Sequence, residues 1–109
     1  MLTDDEVQRA LDYLRDSAKE AAVARSQAKT LDKYLGVVEA KGKAMATSEG
    51  MSNAASQDWA RSGHDYKQAL DAWSEAIRLD CEFTMLREAA DSRIQAWRTW
   101  QATNRAGNI

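Results

Sequence analysis

Proline is absent from this sequence of 109 residues, and cysteine and histidine each occur once. Without proline, nothing obliges a helix to kink or end, so the long segments rich in Ala, Glu, Lys, Gln and Leu are predicted to be helical. The lone thiol, Cys81, cannot form a disulfide within the chain, which favours a reducing compartment. The composition therefore predicts an all-α protein, with the cytoplasm as its expected location.

The sequence also lacks a dominant charge and long apolar runs. It has 15 Lys and Arg against 17 Asp and Glu, and the net charge of −2 provides no overall field for holding nucleic acid or an anionic membrane. No window approaches the roughly 20 apolar residues of a membrane span. The acidic start, residues 1–6, lacks the basic and then apolar pattern of a secretory signal. We expect a single domain, 1–109, without membrane contact.

Recognisable catalytic and metal-binding motifs are missing as well. There is no Gly-rich phosphate loop, no cysteine pair, no Glu-x-x-His pair and no familiar Ser, His and Asp set. His64 is interpreted as a solvated residue in a first helical turn, and Cys81 as a small packing residue. We therefore expect no enzyme activity, no cofactor, no metal site and no small-molecule substrate.

A first long helix is predicted over about 4–43. Thr3 and Glu6 have the spacing of a capping box, and Gly42 is placed to end the helix. Apolar residues then recur every seven positions on two companion seams, where Ser17 is the only polar residue. The seams are Val7, Leu14, Ala21, Ala28 and Leu35, and Ala10, Ala24, Leu31, Val38 and Met45.

A connector of about 44–63 follows, rich in Ser, Thr, Asn and Gly. It is long for a loop between two helices, so we expect a short helix within it, at about 53–61. Trp59 is expected to turn onto the long helices as a lid.

A second long helix is predicted over about 64–104. Ser62 and Asp65 repeat the capping-box spacing in front of it, and residues 105–109 are expected to form a frayed tail. Its predicted apolar face consists of Tyr66, Leu70, Trp73, Ile77, Thr84, Ala90, Ile94 and Trp97.

The two long helices are predicted to form an antiparallel, coiled-coil-like hairpin. The connector is too short to return the chain to the start of the first helix, which excludes a parallel pair. The charge distribution also favours an antiparallel pair, because residues 1–18 and 64–92 are acidic while residues 19–43 and 93–109 are basic. An antiparallel hairpin therefore places each block opposite its counterpart, including Arg25 opposite the acidic block.

Two helices alone cover each other on one face only, so we expect two hairpins to dimerise into a four-helix bundle. A monomer closed by the Trp59 segment is the alternative. Apolar residues off the main seams that a dimer would hide are Leu11, Leu79, Phe83 and Leu86. The candidate core or oligomer face consists of Leu14, Leu31, Leu35, Trp73, Ile77, Ile94 and Trp97.

Arginine and tryptophan cluster near the end of the second helix. Arg93, Arg98, Trp100 and Arg105 are the candidate contacts with a partner protein or nucleic acid, because guanidinium groups meet phosphates and an exposed indole stacks on a base. The structural alternative is that the arginines balance the acidic first turns of the first helix.

The chain resembles a group of small helical proteins encoded by phages and prophages near genes for single-strand-annealing recombinases. The similar segments are Ala10-Leu11-Asp12-Tyr13-Leu14-Arg15, Tyr66 with Leu70, and Leu86-Arg87 through Arg93-Ile94-Gln95-Ala96-Trp97-Arg98-Thr99. Trp100 departs from the group, where a polar residue is expected. The resemblance implies a setting, phage DNA replication or recombination in the host cytoplasm, and no functional residues.

Two functions follow as hypotheses. In the first, the chain is a non-enzymatic oligomerisation module that holds another phage or host protein through its surface. In the second, the basic C-terminal tip binds single-stranded DNA and assists an annealing protein. The near-neutral total charge favours the first.

Overall fold

The computed structural model describes residues 2–107 and contains three helices, α1 (Asp4–Ser48), α2 (Asn53–Ser62) and α3 (His64–Gly107). Within that range 93% of residues are helical and no β-strand occurs. The all-α class and the short helix in the connector are thus confirmed.

The chain divides into two compact units, which we call the terminal unit (Met1–Ala22 with Cys81–Ile109) and the central unit (Val23–Asp80). Both long helices contribute to each unit. The terminal unit contains the start of α1 and the part of α3 from Cys81 onward, and the central unit contains the connector and α2. The two units are described separately below.

The start of α1 has the predicted capping box. The Thr3 backbone N–H donates to Glu6 Oε2 at 3.2 Å, and the Glu6 backbone N–H donates to Thr3 Oγ1 at 3.2 Å. Two N–H groups that a helix start leaves without a partner are thereby satisfied. This cap orders the beginning of the terminal unit.

The end of α1 corrects the prediction that Gly42 stops the helix. The helix continues to Ser48, and Gly50 adopts a left-handed φ of +92°. The Gly50 N–H donates to the Thr47 carbonyl at 3.0 Å and the Met51 N–H to the Ala46 carbonyl at 3.2 Å, the hydrogen bonds of a Schellman motif. Glycine at position 50 ends the helix because it adopts this φ without a Cβ clash.

The junction of α2 and α3 also differs from the prediction. Ser52 caps α2 by accepting the Ala55 N–H at 3.2 Å. Ser62 does not cap α3, because it is the last residue of α2 and its hydroxyl donates to the Trp59 carbonyl at 2.9 Å. Gly63 instead separates the two helices, and its carbonyl accepts the Lys67 N–H at 3.1 Å.

The end of α3 lies beyond the predicted position. Residues 105–107 are helical, so the predicted frayed tail does not begin at Arg105. Nothing in these residues breaks a helix before Gly107. The rest of that predicted tail, Asn108 and Ile109, lies outside the described residues.

The core of the terminal unit joins α1 and α3. Val7 and Ala10 pack with Ala90 and Ile94, and partly buried apolar side chains surround them. Those side chains are Leu2, Tyr13, Leu14 and Trp97. Since Arg87, earlier on α3, contacts the later α1 residues Leu14 and Ser17, the two segments run antiparallel within this unit.

Arg87 is turned inward in the terminal unit, unlike the exposed arginines later on α3. Its guanidinium donates to the Leu14 carbonyl at 2.8 Å and to Ser17 Oγ at 2.7 Å. The Ser17 hydroxyl donates in turn to the Tyr13 carbonyl at 2.5 Å. The one polar residue on the predicted seam is thus satisfied across the helix pair, as burial of a hydroxyl requires.

The core of the central unit is built from alanines. Its buried hydrophobic residues are Ala24, Ala28, Ala46, Ala60, Ala69 and Ala76. Arg25 and Asp80 form an ion pair of 3.5 Å between α1 and α3, which is the pairing expected of the basic and acidic blocks. Side chains this small allow the helices to approach closely and bury little area each.

Two residues predicted on the apolar seams of this unit are exposed instead. Met45 is exposed and Ala46 is buried, while Leu70 is exposed and Ala69 is buried. A seven-residue repeat drifts by roughly 20° per heptad around a straight α-helix. On α1 this drift means that the buried position is Ala46, four residues after Gly42. Met45, three residues after Gly42, is exposed instead.

Candidate interaction surfaces

A groove of about 710 Å³ opens in the central unit, and we call it the connector groove. Its principal lining residues are Tyr34, Val37, Lys41 and Met45 of α1, Trp59 of α2 and Asp65 of α3. The α1 residues are spaced by three and four positions, which places them on one helix face beside the buried seam. The groove is therefore a product of the helix period and of the position of α2.

Large apolar side chains are exposed in this groove. Tyr34, Val37, Met45 and Trp59 are between 43 and 59% exposed. Single exposed apolar residues are ordinary on a protein surface, but contiguous groups are characteristic of binding sites. This group combines two aromatic rings with aliphatic neighbours, the composition of an interface centre.

Close packing of α2 on α1 forms one end of the groove. A Cβ atom on Gly42 would lie 2.9 Å from Ala60 Cβ and 3.9 Å from Trp59 Cζ3. Ser56 is fully buried, and its hydroxyl oxygen accepts from Thr47 Oγ1 at 3.1 Å. Trp59 thus lies beside α1, as the lid prediction requires, but its side chain remains largely exposed at the groove.

A polar cluster on Glu39 holds the other side of α2. Glu39 Oε1 accepts from Gln57 Nε2 at 3.1 Å and from Arg61 Nε at 2.8 Å. The hydrogen bond from Gln57, followed by the one from Arg61, lowers the pKa of the Glu39 carboxyl below its usual value. The ionised form of Glu39 therefore favours the packing of α2 against α1.

Acid is expected to loosen α2. Because the folded-state pKa of Glu39 is lowered, its contribution to stability is present above the ordinary glutamate pKa of about 4.3 and is lost as the pH falls through that range towards the folded value. Hydrogen-exchange protection factors of the α2 amides should fall between neutral pH and about pH 3. In Glu39→Gln, protection should already be reduced at neutral pH and should change less with acid.

The matched control is Glu75→Gln. The pKa of the Glu75 carboxyl is also lowered, by a hydrogen bond from Arg78, but both residues lie on α3. Protection of α2 should therefore stay at the wild-type level in this variant. Equal protection of α2 in wild type and Glu39→Gln at neutral pH would contradict the assignment.

Only two charged residues line the connector groove, Lys41 on the α1 side and Asp65 on the α3 side. Neither forms an ion pair within the described part of the chain. The groove therefore presents an apolar surface flanked by one positive and one negative group, each free to meet a charge on another molecule.

The predicted nucleic-acid contacts are only partly brought together. Arg93, Arg98 and Arg105 are exposed, and Trp100 is 40% exposed. At 100° per residue, Arg93 and Trp100 share a face of α3, whereas Arg98 and Trp100 point about 200° apart. Among the described residues none of the three arginines pairs with the acidic first turn of α1, which was the structural alternative.

Trp100 lies at a shallow apolar pocket of the terminal unit, with a volume of about 410 Å³. Leu2, Ala96 and Trp97 complete the lining. This pocket has no charged lining residue, so it offers stacking and apolar contact but no phosphate contact of its own.

The candidate core or oligomer face lies mainly inside the two units. Ile94 is buried, and the other six predicted residues are half-buried. These six are Leu14, Leu31, Leu35, Trp73, Ile77 and Trp97. The indole N–H groups of Trp73 and Trp97 are buried without a hydrogen-bond partner in the described range. Leu14 and Trp97 pack against the core of the terminal unit, and the assignment of the set to an oligomer face stays a prediction.

Outside this set, the residues predicted to be hidden by a dimer differ in exposure. Leu11 and Leu86 are exposed, whereas Leu79 and Phe83 are half-buried. The connector groove was not identified from the sequence, although the spacing of Tyr34, Val37 and Met45 was a usable signal for a second apolar stripe.

Residues 2–107 contain neither a metal-binding cluster nor a helix that could span a membrane. No group of three or more His, Cys, Asp or Glu side chains there is arranged to hold a metal ion. None of the helices in that range combines the length and apolar character that crossing a bilayer needs.

No family model, curated protein or solved structure matches this chain. The resemblance to phage-encoded helical proteins therefore stays a prediction, and the argument for function rests on the surfaces described above.

Proposed function

We propose that this protein is a non-enzymatic helical interaction module that self-associates and holds another protein through its surface. The observation that supports this proposal is the distribution of its apolar side chains. Of the ten buried hydrophobic residues in the described range, eight are alanine, whereas Tyr34, Trp59 and other large residues are exposed. Because buried apolar area drives association as well as folding, these exposed large side chains offer further hydrophobic free energy to a partner.

A second copy accounts for this distribution without a further component. Obligate helical assemblies commonly complete their cores by packing hairpins into bundles. The setting we propose, phage DNA replication or recombination in the host cytoplasm, comes from the family resemblance alone.

Sedimentation velocity and equilibrium over a wide concentration range test the proposal. We expect a dimer at micromolar concentrations, and a melting temperature that rises with protein concentration because only the folded chain associates. A monomer at every concentration, with a melting temperature independent of concentration, would remove self-association from the proposal.

A second candidate function is weak binding of single-stranded DNA by the C-terminal part of α3. The supporting observation is that Arg93 and exposed Trp100 share a helix face, so that one base could stack while the guanidinium meets a phosphate. Arg98 and Arg105 lie on the other side of the helix from Trp100, so they would add positive charge near the site without contacting the same stretch of the strand.

Fluorescence anisotropy of a labelled single strand tests this candidate. Binding should weaken steeply with salt and should fall in Trp100→Ala and Arg93→Ala, but not in Lys29→Ala, an exposed cation of the central unit. Absence of binding at low salt would exclude it.

A further inference from the structure

We infer that the connector groove of one copy docks against the connector groove of a second copy, with Lys41 of each chain meeting Asp65 of the other. The inference rests on the proposed self-association and assigns the surface that carries it.

The apolar part of the groove has the character of an interface centre. Tyr34 on α1 and Trp59 on α2 present large rings at opposite sides, with Val37 and Met45 beside them. Aromatic residues of this kind supply most of the binding free energy in protein interfaces. Along α1 the exposed apolar residues of the groove extend from Tyr34 to Met45, over about 17 Å of helix.

The two charged residues of the groove indicate that its occupant is a second copy of this chain. A two-fold symmetric interface is self-complementary, because each contact between residue i and residue j of the partner occurs twice. Lys41 lines the groove from α1 and Asp65 lines it from α3, and neither has an ion pair within the described residues. When two grooves face each other about a two-fold axis perpendicular to the line from Lys41 to Asp65, each lysine meets the aspartate of the other copy.

Met85, the most exposed of the described large apolar residues in the terminal unit, meets this condition less well. Met85 is 70% exposed, but Glu82 and Glu88 lie three residues before and after it on α3. A two-fold contact at Met85 would bring carboxylates of both copies together, and like charges across an interface oppose association. The connector groove has one charge of each sign and avoids this repulsion.

Charge reversal tests the pairing. Lys41→Glu and Asp65→Lys should each weaken self-association roughly tenfold or more, because each creates two like-charge contacts in a symmetric dimer. An equimolar mixture of the two variants should recover near wild-type association, since the introduced glutamate then meets the introduced lysine and the native pair forms on the other side. The double variant should recover as well.

Lys29→Glu is the matched control, because Lys29 lies on α1 and does not line the groove. Circular dichroism of every variant checks that helical content is kept. Tyr34→Ala provides a second line of evidence that needs no charge change, and it should weaken association because it removes an aromatic anchor.

The outcomes separate the two proposals. If the wild-type chain is monomeric throughout, self-association itself fails. If it associates but the reversals act no more strongly than Lys29→Glu, or if the mixture and the double variant fail to recover, the dimer forms elsewhere and the groove assignment is wrong. A groove left open in such a dimer would be the surface for a different protein.

Discussion

Ile94→Ala is expected to lower the free energy of unfolding by about 2–5 kcal/mol. Ile94 is 4% exposed and packs with Val7, Ala10 and Ala90 in the terminal unit. These neighbours have small side chains and are held on long helices. They therefore cannot move to fill the space left by the removed methyl and methylene groups. The lost transfer free energy and the residual cavity therefore add.

Met85→Ala is the control for this measurement. Met85 lies on the same helix and in the same unit but is 70% exposed, so its replacement should change the free energy of unfolding by less than about 0.5 kcal/mol. Urea unfolding followed by circular dichroism, at one protein concentration for all variants, measures both changes. Similar losses in the two variants would show that Ile94 is not a core residue.

Gly42→Ala and Gly36→Ala are expected to act in opposite directions, although both replace a glycine within α1. A Cβ atom at Gly36 has no neighbour within 4 Å, so alanine there should stabilise the helix by about 0.5–1 kcal/mol. A Cβ atom at Gly42 would lie 2.9 Å from Ala60 Cβ and 3.2 Å from Ala60 Cα, so α2 must move away from α1. Overpacking of this kind costs about 1–3 kcal/mol.

Because both substitutions gain the same intrinsic helix propensity, the difference between them isolates the cost of the contact with Ala60. We expect that difference to be about 1–3 kcal/mol in thermal or urea unfolding. Hydrogen exchange of the α2 amides should accelerate in Gly42→Ala alone. Stabilisation of equal size in both variants would mean that α2 does not pack closely on α1.

These two predictions depend on contacts that the sequence does not specify by itself. Gly42 looked like a helix end because glycine is the commonest residue after a helix, yet it lies inside α1 and accommodates Ala60. The same residue type ends the helix at Gly50, where the backbone φ is positive. Local sequence could not distinguish the two uses of glycine, since only the position of α2 decides between them.

The candidate interaction surfaces also contain residues that the sequence predicts and residues that only the structure places. The exposed arginines near the end of α3 could be predicted, but the inward turn of Arg87 could not, because it depends on the Leu14 carbonyl and Ser17 hydroxyl 73 and 70 residues away. The connector groove was missed for a related reason. Its lining comes from three helices. The seven-residue repeat assigns Met45 to a seam and leaves Tyr34 off both seams, so it does not group the two residues on one surface.

The sequence by itself determined that the chain is helical, where its first long helix begins and that the two long helices run antiparallel within each unit. These properties follow from local chemistry: the absence of proline, the Thr3 and Glu6 capping box, and the short reach of the connector. Only the tertiary structure decided which of two neighbouring residues is buried, as at Met45 and Ala46, and how α2 shapes the connector groove. Burial and close approach depend on how helices that are distant in sequence lie against each other. A shift of one residue in the helix register is enough to change which side chain is buried.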